Sequence, residues 1–377
     1  MKRTTKRVLL AVFGIALVAV LAVGTYGFWP FVNRSLVSAA PTPMPTSLIA
    51  DAQPVIDFIE QDARGIDACI VHHNGKVVFS HGAVDVPMNT ASVRKSVLSL
   101  LYGIAWDRGL IDLGKTVGEL DINESRTSLT DGEKTATIEH LLQARSGIYL
   151  PSGGEGDNAK DRPTREQYAP GEHFYYNSWD FNVVGHVFEA ETGLTIGQAI
   201  DQWLARPLGM EDFHPSHVVY DSDGNSDYRT YRIHMSARDL ARLGTLVIQD
   251  GAWQGEQIVS ADWLTRSTTP SSSLPPRDNG LACDGYGYLW WTSSSLDAIF
   301  ADGWGGQYMM IDPKTGLVVV NRRDIGNSRV GYLRFVATED EGVPWDTLSV
   351  RDLVQQQLEP TRGEAGSEKA EEAGTQQ

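Results

Sequence analysis

Apolar and polar positions fall into three regimes along the 377 residues. From Val8 to Trp29 no charged residue interrupts the chain. That run of about 22 residues meets the roughly 20 needed to cross a bilayer. From about residue 48 to 359, helical and strand periods alternate. From 360 onward, "TRGEAGSEKAEEAGTQQ" offers no aliphatic residue larger than alanine and reads as a disordered acidic tail. Within the middle regime, "DACIVHHNGKVVFSHG" predicts two strands around an Asn74-Gly75 hairpin turn, with His72 and His73 exposed on it. A helix follows from Ser92 to about Arg108, with Gly109 in position to end it.

Residues 126–270 read as mostly helical. "TIEHLLQARSG" starts at Thr137 and is stopped by Gly147, a helix runs from about Ser178 to Gly193, and "SARDLARLGTLVIQDG" runs from Ser236 to Gly251. The pattern then turns to strands in "YGYLWWTS", "DAIFADG", "GQYMMIDP" and "GLVVVNRR". The closing "DTLSVRDLVQQQLEP" sets Val350, Leu353, Val354 and Gln357 on one helical stripe suited to lie on a sheet. Strands at both ends with helices between them imply an α+β domain. Its antiparallel sheet would be built from N- and C-terminal segments, flanked by helices and interrupted by the helical insert, with a pocket at their junction.

Composition narrows the function classes. A hydrophobic share of 41% with 21% charged residues suits a globular domain, and a net charge of -16 argues against nucleic acid as a partner. "MKRTTKR" forms a basic head over residues 1–7, before the span at 8–29 and a Pro-rich linker over 30–47. Basic residues ahead of the span keep that end in the cytoplasm. The expectation is a bacterial inner-membrane anchor with residues 48–359 in the periplasm or outside. The competing reading is a signal cleaved at "VSA" (37–39), which would release a secreted protein. Cys69 and Cys283 lie in no CxxC pair, though a single disulfide stays open to them. Neither H-E-x-x-H nor G-x-S-x-G occurs, so the sequence offers no metal site and no α/β-hydrolase elbow.

The candidate chemistry sits at "MNTASVRKSVLSLLYG" (88–103). A serine hydroxyl needs a base within hydrogen-bond reach to act as a nucleophile. Ser92 and Lys95 share a helix face at i,i+3, and burial of that face would lower the lysine pKa and make it a base. Backbone N–H groups at the helix start would stabilise an oxyanion. The plainer alternative makes Ser92 a simple cap and Lys95 a solvated charge. Farther along, Tyr176 in "PGEHFYYNSWDFNVVG" is either a packing aromatic or a proton relay facing a lysine.

With "TIEHLLQARSGIYLP", "SARDLARLGTLVIQDGAWQGEQIV" and "GWGGQYMMIDPKTGLVVV", these segments come in the order found in serine β-lactamase-related hydrolases. The resemblance spans about residues 50–358. The chain is most similar to the branch of class C β-lactamases, esterases and 6-aminohexanoate-dimer hydrolases, and so to the β-lactamase/transpeptidase-like fold. It implies Ser92 as the acylated nucleophile, Lys95 as its base and Tyr176 as the proton relay. Ser178 stands where the family has asparagine, with Asn177 one position off. The family's K-T-G strand corresponds to Ala301-Asp302-Gly303, followed by Trp304 and Gly305, with the Trp304 amide as second oxyanion donor. The literal "KTG" at 314–316 reads as a chance match in a hairpin turn. Tyr149 either lines the pocket or packs. The activity implied is cleavage of an ester, amide or short peptide-like substrate without metal or cofactor. β-Lactams or cell-wall peptides are the alternative substrates, and a non-catalytic scaffold is the alternative role.

Overall fold

A computed structural model describes residues 44–63, 65–222, 224–275, 283–325 and 343–358. The expected span at 8–29, its basic head, most of the linker and the acidic tail lie outside these residues. Among the described residues, no helix is long and apolar enough to cross a membrane.

The first two strands, β1 (Ala68–His73) and β2 (Lys76–Gly82), form the expected hairpin. Its turn places Asn74 and Gly75 at φ 48° and 76°, a left-handed pair that asparagine and glycine tolerate. Four more two- to six-residue strands, β3 (Met88–Asn89), β4 (Val218–Asp221), β5 (Thr230–Met235) and β6 (Ala252–Trp253), come next in chain order. They are followed by β7 (Glu256–Gln257), β8 (Ser272–Ser273), β9 (Gly285–Tyr286), β10 (Trp291–Ser293), β11 (Ala298–Gly303), β12 (Gln307–Asp312) and β13 (Leu317–Arg322). The main sheet is antiparallel throughout, in the order β2-β1-β13-β12-β11-β10-β9-β8. Its strands come from the two ends of the chain, as the pattern implied. The expected single strand "YGYLWWTS" is instead split into β9 and β10, with Leu289 at φ 64° in the turn between them.

Seven helices serve the argument: α1 (Gln53–Asp57), α2 (Val93–Asp107), α3 (Ile138–Leu142), α4 (Ser178–Thr192), α5 (Ala237–Ile248), α6 (Ala261–Thr268) and α7 (Val343–Leu358). The sheet is covered on both faces, which explains why β12 and β13 are buried at every position. Strand alternation divides the contacts. Val318 lies under α5, where a Cβ on Gly244 would come 2.4 Å from its Cγ1. Asn321 points the other way, and its Nδ2 donates to Thr347 Oγ1 of α7 at 3.0 Å. α7 buries Val350 and Val354 against that face, the stripe read from its sequence.

The structure refines the helical insert and corrects two expectations. The regular structure of residues 126–270 is mainly helical, as expected, with β4 through β7 also within it and β5 pairing with β3 beside Ser92. α3 also stops after five residues: Ala144 adopts φ 55°, which breaks the helix before Gly147. His72 is not exposed. It is buried in β1, where its Nδ1 lies 2.9 Å from Thr245 Oγ1 of α5. No disulfide joins Cys69 to Cys283.

Candidate active site

Ser92 is the cap residue of α2. The turn that delivers it is short and held at both sides. Thr90 N donates to Ile233 O of β5 at 2.9 Å, and Ala91 N donates to Asn89 Oδ1 at 2.9 Å. Ala91 takes φ 46°, a left-handed conformation that non-glycine residues adopt only under constraint. Asn89 belongs to β3, which is fixed by the buried Arg322. That guanidinium donates to the carbonyls of Met88, Asn89 and Met235 and, at 2.6 Å, to Gln307 Oε1.

One turn into α2, Lys95 Nζ donates to Ser92 Oγ at 2.7 Å and to Tyr176 Oη at 2.9 Å. The lysine is 5% exposed, while Ser92 and Tyr176 are half-buried, so the amine is dry and both hydroxyls remain reachable. The rings of Tyr176 and Phe181 each stand 4.6 Å from Nζ. Burial pushes the Lys95 amine well below the usual lysine range; the charge of Arg94 adds to this and that of Asp302 opposes it. A neutral amine bonded to a serine hydroxyl can act as a general base.

Opposite Ser92 runs the end of β11. A Cβ on Gly303 would lie 2.7 Å from Thr90 O and 3.2 Å from Ser92 N, so only glycine lets this strand pass so close. Its pairing with β12 is unbroken from Ile299↔Ile311 to Gly303↔Gln307, so the glycines form a tight turn rather than a bulge. Gly305 and Gly306 carry φ 78° and 85° in that turn, and Gln307 Nε2 donates back to Gly305 O. Trp304, at its tip, is 60% exposed. The literal "KTG" is at the opposite end of the sheet. Gly316 closes the β12–β13 turn against Asn74, as its hairpin context indicated.

The remaining sequence candidates divide. Ser178 is buried at the first position of α4, two residues after Tyr176. Asn177, one position off the family asparagine, is engaged at the start of α4. Its Oδ1 caps α4 by accepting from Trp179 N, and its Nδ2 donates to Ile148 O and Asp180 Oδ1. Tyr149 is buried edge-on against Tyr175, ring centroids 5.9 Å apart. Trp290 is core, but Trp291 stacks on the Tyr176 ring at 5.4 Å and Tyr286 closes on both. Sequence reasoning missed Phe181, Tyr286 and Arg322. The spacing in "SWDF", with Phe181 one turn after Ser178, was the only local signal for any of them.

The Beta-lactamase family matches the chain over residues 47–321. The chain belongs to that family. Among curated relatives, a 6-aminohexanoate-dimer hydrolase of Paenarthrobacter ureafaciens is 24% identical over 229 residues, 59% of this chain and 52% of that protein. Esterase EstB of Burkholderia gladioli is 30% identical over 202 residues, 44% of this chain and 51% of that protein. The chain thus spans about half the length of these relatives. Two solved structures share the fold. A family VIII carboxylesterase has TM-score 0.54 at 15% identity, covering 79% of this chain and 99% of that one. An octameric penicillin-binding protein homologue from Pyrococcus abyssi has TM-score 0.52 at 20% identity, with 76% and 75% covered. The α+β, β-lactamase-like architecture expected from the sequence is therefore the architecture found.

Proposed function

We propose that the protein is a serine hydrolase that cleaves an ester or amide bond through an acyl-enzyme on Ser92. The supporting observation is the buried Lys95 amine bonded to both the Ser92 and the Tyr176 hydroxyls. In the proposed reaction Lys95 Nζ accepts the Ser92 proton as Oγ attacks the carbonyl carbon. The oxyanion that forms is held by the backbone N–H groups of Ser92 and Trp304, each worth on the order of 3 kcal/mol. Collapse breaks the bond to the leaving group, which takes the Tyr176 proton, and the Lys95 ammonium returns a proton to that phenol. Water then attacks the acyl carbon by the reverse path and frees Ser92.

Relatives named as an esterase and a 6-aminohexanoate-dimer hydrolase support a small ester or amide as substrate. Asp302 on the strand beside Ser92 puts an anion where a carboxylate-bearing β-lactam needs a cation, which favours that reading over β-lactam hydrolysis. Labelling with a fluorophosphonate probe, alongside p-nitrophenyl ester and nitrocefin turnover, tests it. Wild type should label and turn over the esters in preference to nitrocefin, and Ser92→Ala should do neither. An unlabelled, inactive wild type would leave a binding scaffold of the same fold.

A further inference from the structure

Lys95 must be neutral to accept a proton, yet the residue before it is another cation. Arg94 is buried, and its guanidinium carbon lies 4.1 Å from the centroid of the Tyr231 ring. Its Nη2 reaches Asn182 Oδ1 of α4 at 3.5 Å. Among the described residues no carboxylate comes within ion-pair distance of it. Asn182 is itself fixed, since its Nδ2 donates to Ser152 Oγ, Gly153 O and Thr230 Oγ1. The amide can therefore present only its oxygen to Arg94. A buried guanidinium held by an aromatic face and a neutral amide keeps its full charge, because an ion pair would have cancelled most of its field.

We propose that Arg94 is a positioning residue: its fixed charge, clamped between Tyr231 and Asn182, holds the neighbouring Lys95 in the neutral, proton-accepting form. The role of that neutral amine rests on the proposed hydrolase reaction. The placement of the charge does not. The other groups around Lys95 do not supply the same effect. Asp302 of β11 acts in the opposite sense and favours the ammonium. Tyr176, Tyr231 and Tyr286 are phenols, the latter two driven upward by burial and so uncharged at neutral pH. Asp180 of α4 is buried, bonded by Ser146 and Asn177, and held well above the usual carboxylate range by its burial. Arg94 is the cation that adds to burial in disfavouring a second positive charge on α2.

The sign follows directly. Lys95 is competent above its own pKa, so activity is lost as pH falls through that value. Removing the Arg94 charge raises the value and moves the acid limb to higher pH. The experiment compares wild type, Arg94→Met and Arg94→Lys. It records the pH profile of ester kcat/KM and, separately, the pH dependence of Lys95 acetylation by acetic anhydride, read by mass spectrometry. Arg94→Met should move both acid limbs to higher pH while the alkaline plateau stays within a few-fold, and Arg94→Lys should restore the wild-type position. If Arg94→Met fails to fold, Asn182→Asp serves instead, because a carboxylate at that oxygen neutralises the guanidinium and should raise the limb likewise. Profiles that differ only in amplitude would overturn the proposal. Should wild type hydrolyse no ester while its acetylation limb still moves with residue 94, the hydrolase reading fails and the role of Arg94 stands.

Discussion

Tyr176 brings its hydroxyl to Lys95 while its ring is gripped by Trp291, Tyr286 and Phe181. The ring packing is apolar and the hydroxyl is the only part the proposed reaction uses. Tyr176→Phe should therefore keep the fold and lose the proton relay. We expect kcat for an ester to fall by about 10²- to 10⁴-fold with little change in KM, and stability to shift by no more than about 1 kcal/mol. Steady-state kinetics with a urea melt checks both, and a kcat within a few-fold of wild type would remove Tyr176 from the reaction. At this scale the sequence was informative where geometry is local. Ser92 and Lys95 meet because they are three apart on one helix, and that spacing alone brings them together. Tyr176 was legible only through the family resemblance, because nothing in "FYYNS" says which tyrosine turns inward. Tyr175 faces Tyr149 instead.

Elements fix the site through one buried side chain. Arg322, at the end of β13, ties β12 through Gln307 and reaches β3 and β5 through three backbone carbonyls. Gln307 then holds the Gly305 carbonyl, so the Ser92 turn and the Trp304 turn share a brace. Arg322→Met fills similar volume but leaves those carbonyls and the Gln307 oxygen without their donor. At about 1–3 kcal/mol for a buried unsatisfied group, the loss should reach about 3 kcal/mol or more. Activity should fall beyond what the unfolded fraction explains. A denaturant melt paired with ester turnover at a temperature where the variant is folded measures both, and unchanged turnover would show that the two turns hold their places independently. The strand "GLVVVNRR" was readable as a two-faced buried strand from its apolar run. Its final arginine looked like an ordinary charged end, because its four acceptors come from segments 15 to 234 residues away. The split of "YGYLWWTS" was hidden for a related reason: Leu289 adopts a positive φ that no glycine announces, and its carbonyl accepts from Ser96 Oγ of α2.

For the molecule as a whole, the histidines record how completely the two halves close on each other. The hairpin pattern exposed His72, but α5 covers β1 and buries it, pushing its pKa down to about 3 with Arg242 adding to the effect. His217 is likewise lowered to about 3 by burial and its neighbours His234 and His214. A histidine whose folded pKa lies below its unfolded value near 6.5 leaves stability complete above pH 6.5. Below that the unfolded chain takes up the proton first, and stability is lost until the pH reaches the folded value. Buried carboxyls act in the opposite direction. Asp239, raised to about 6 mainly by burial, and Asp180, also raised by burial, hold protons in the folded state that the unfolded state releases. Their contribution grows as pH falls and masks part of the histidine effect in the wild-type curve alone. A difference between wild type and His72→Gln cancels it. Between about pH 6 and 4 the wild type should lose stability relative to the variant by about 1.4 kcal/mol per pH unit, one proton's worth, and the two profiles should run parallel above pH 7. Urea unfolding at half-unit steps of pH measures this. Parallel profiles down to pH 4 would mean that His72 protonates in the folded state, and so that α5 lifts from β1 in acid without global unfolding.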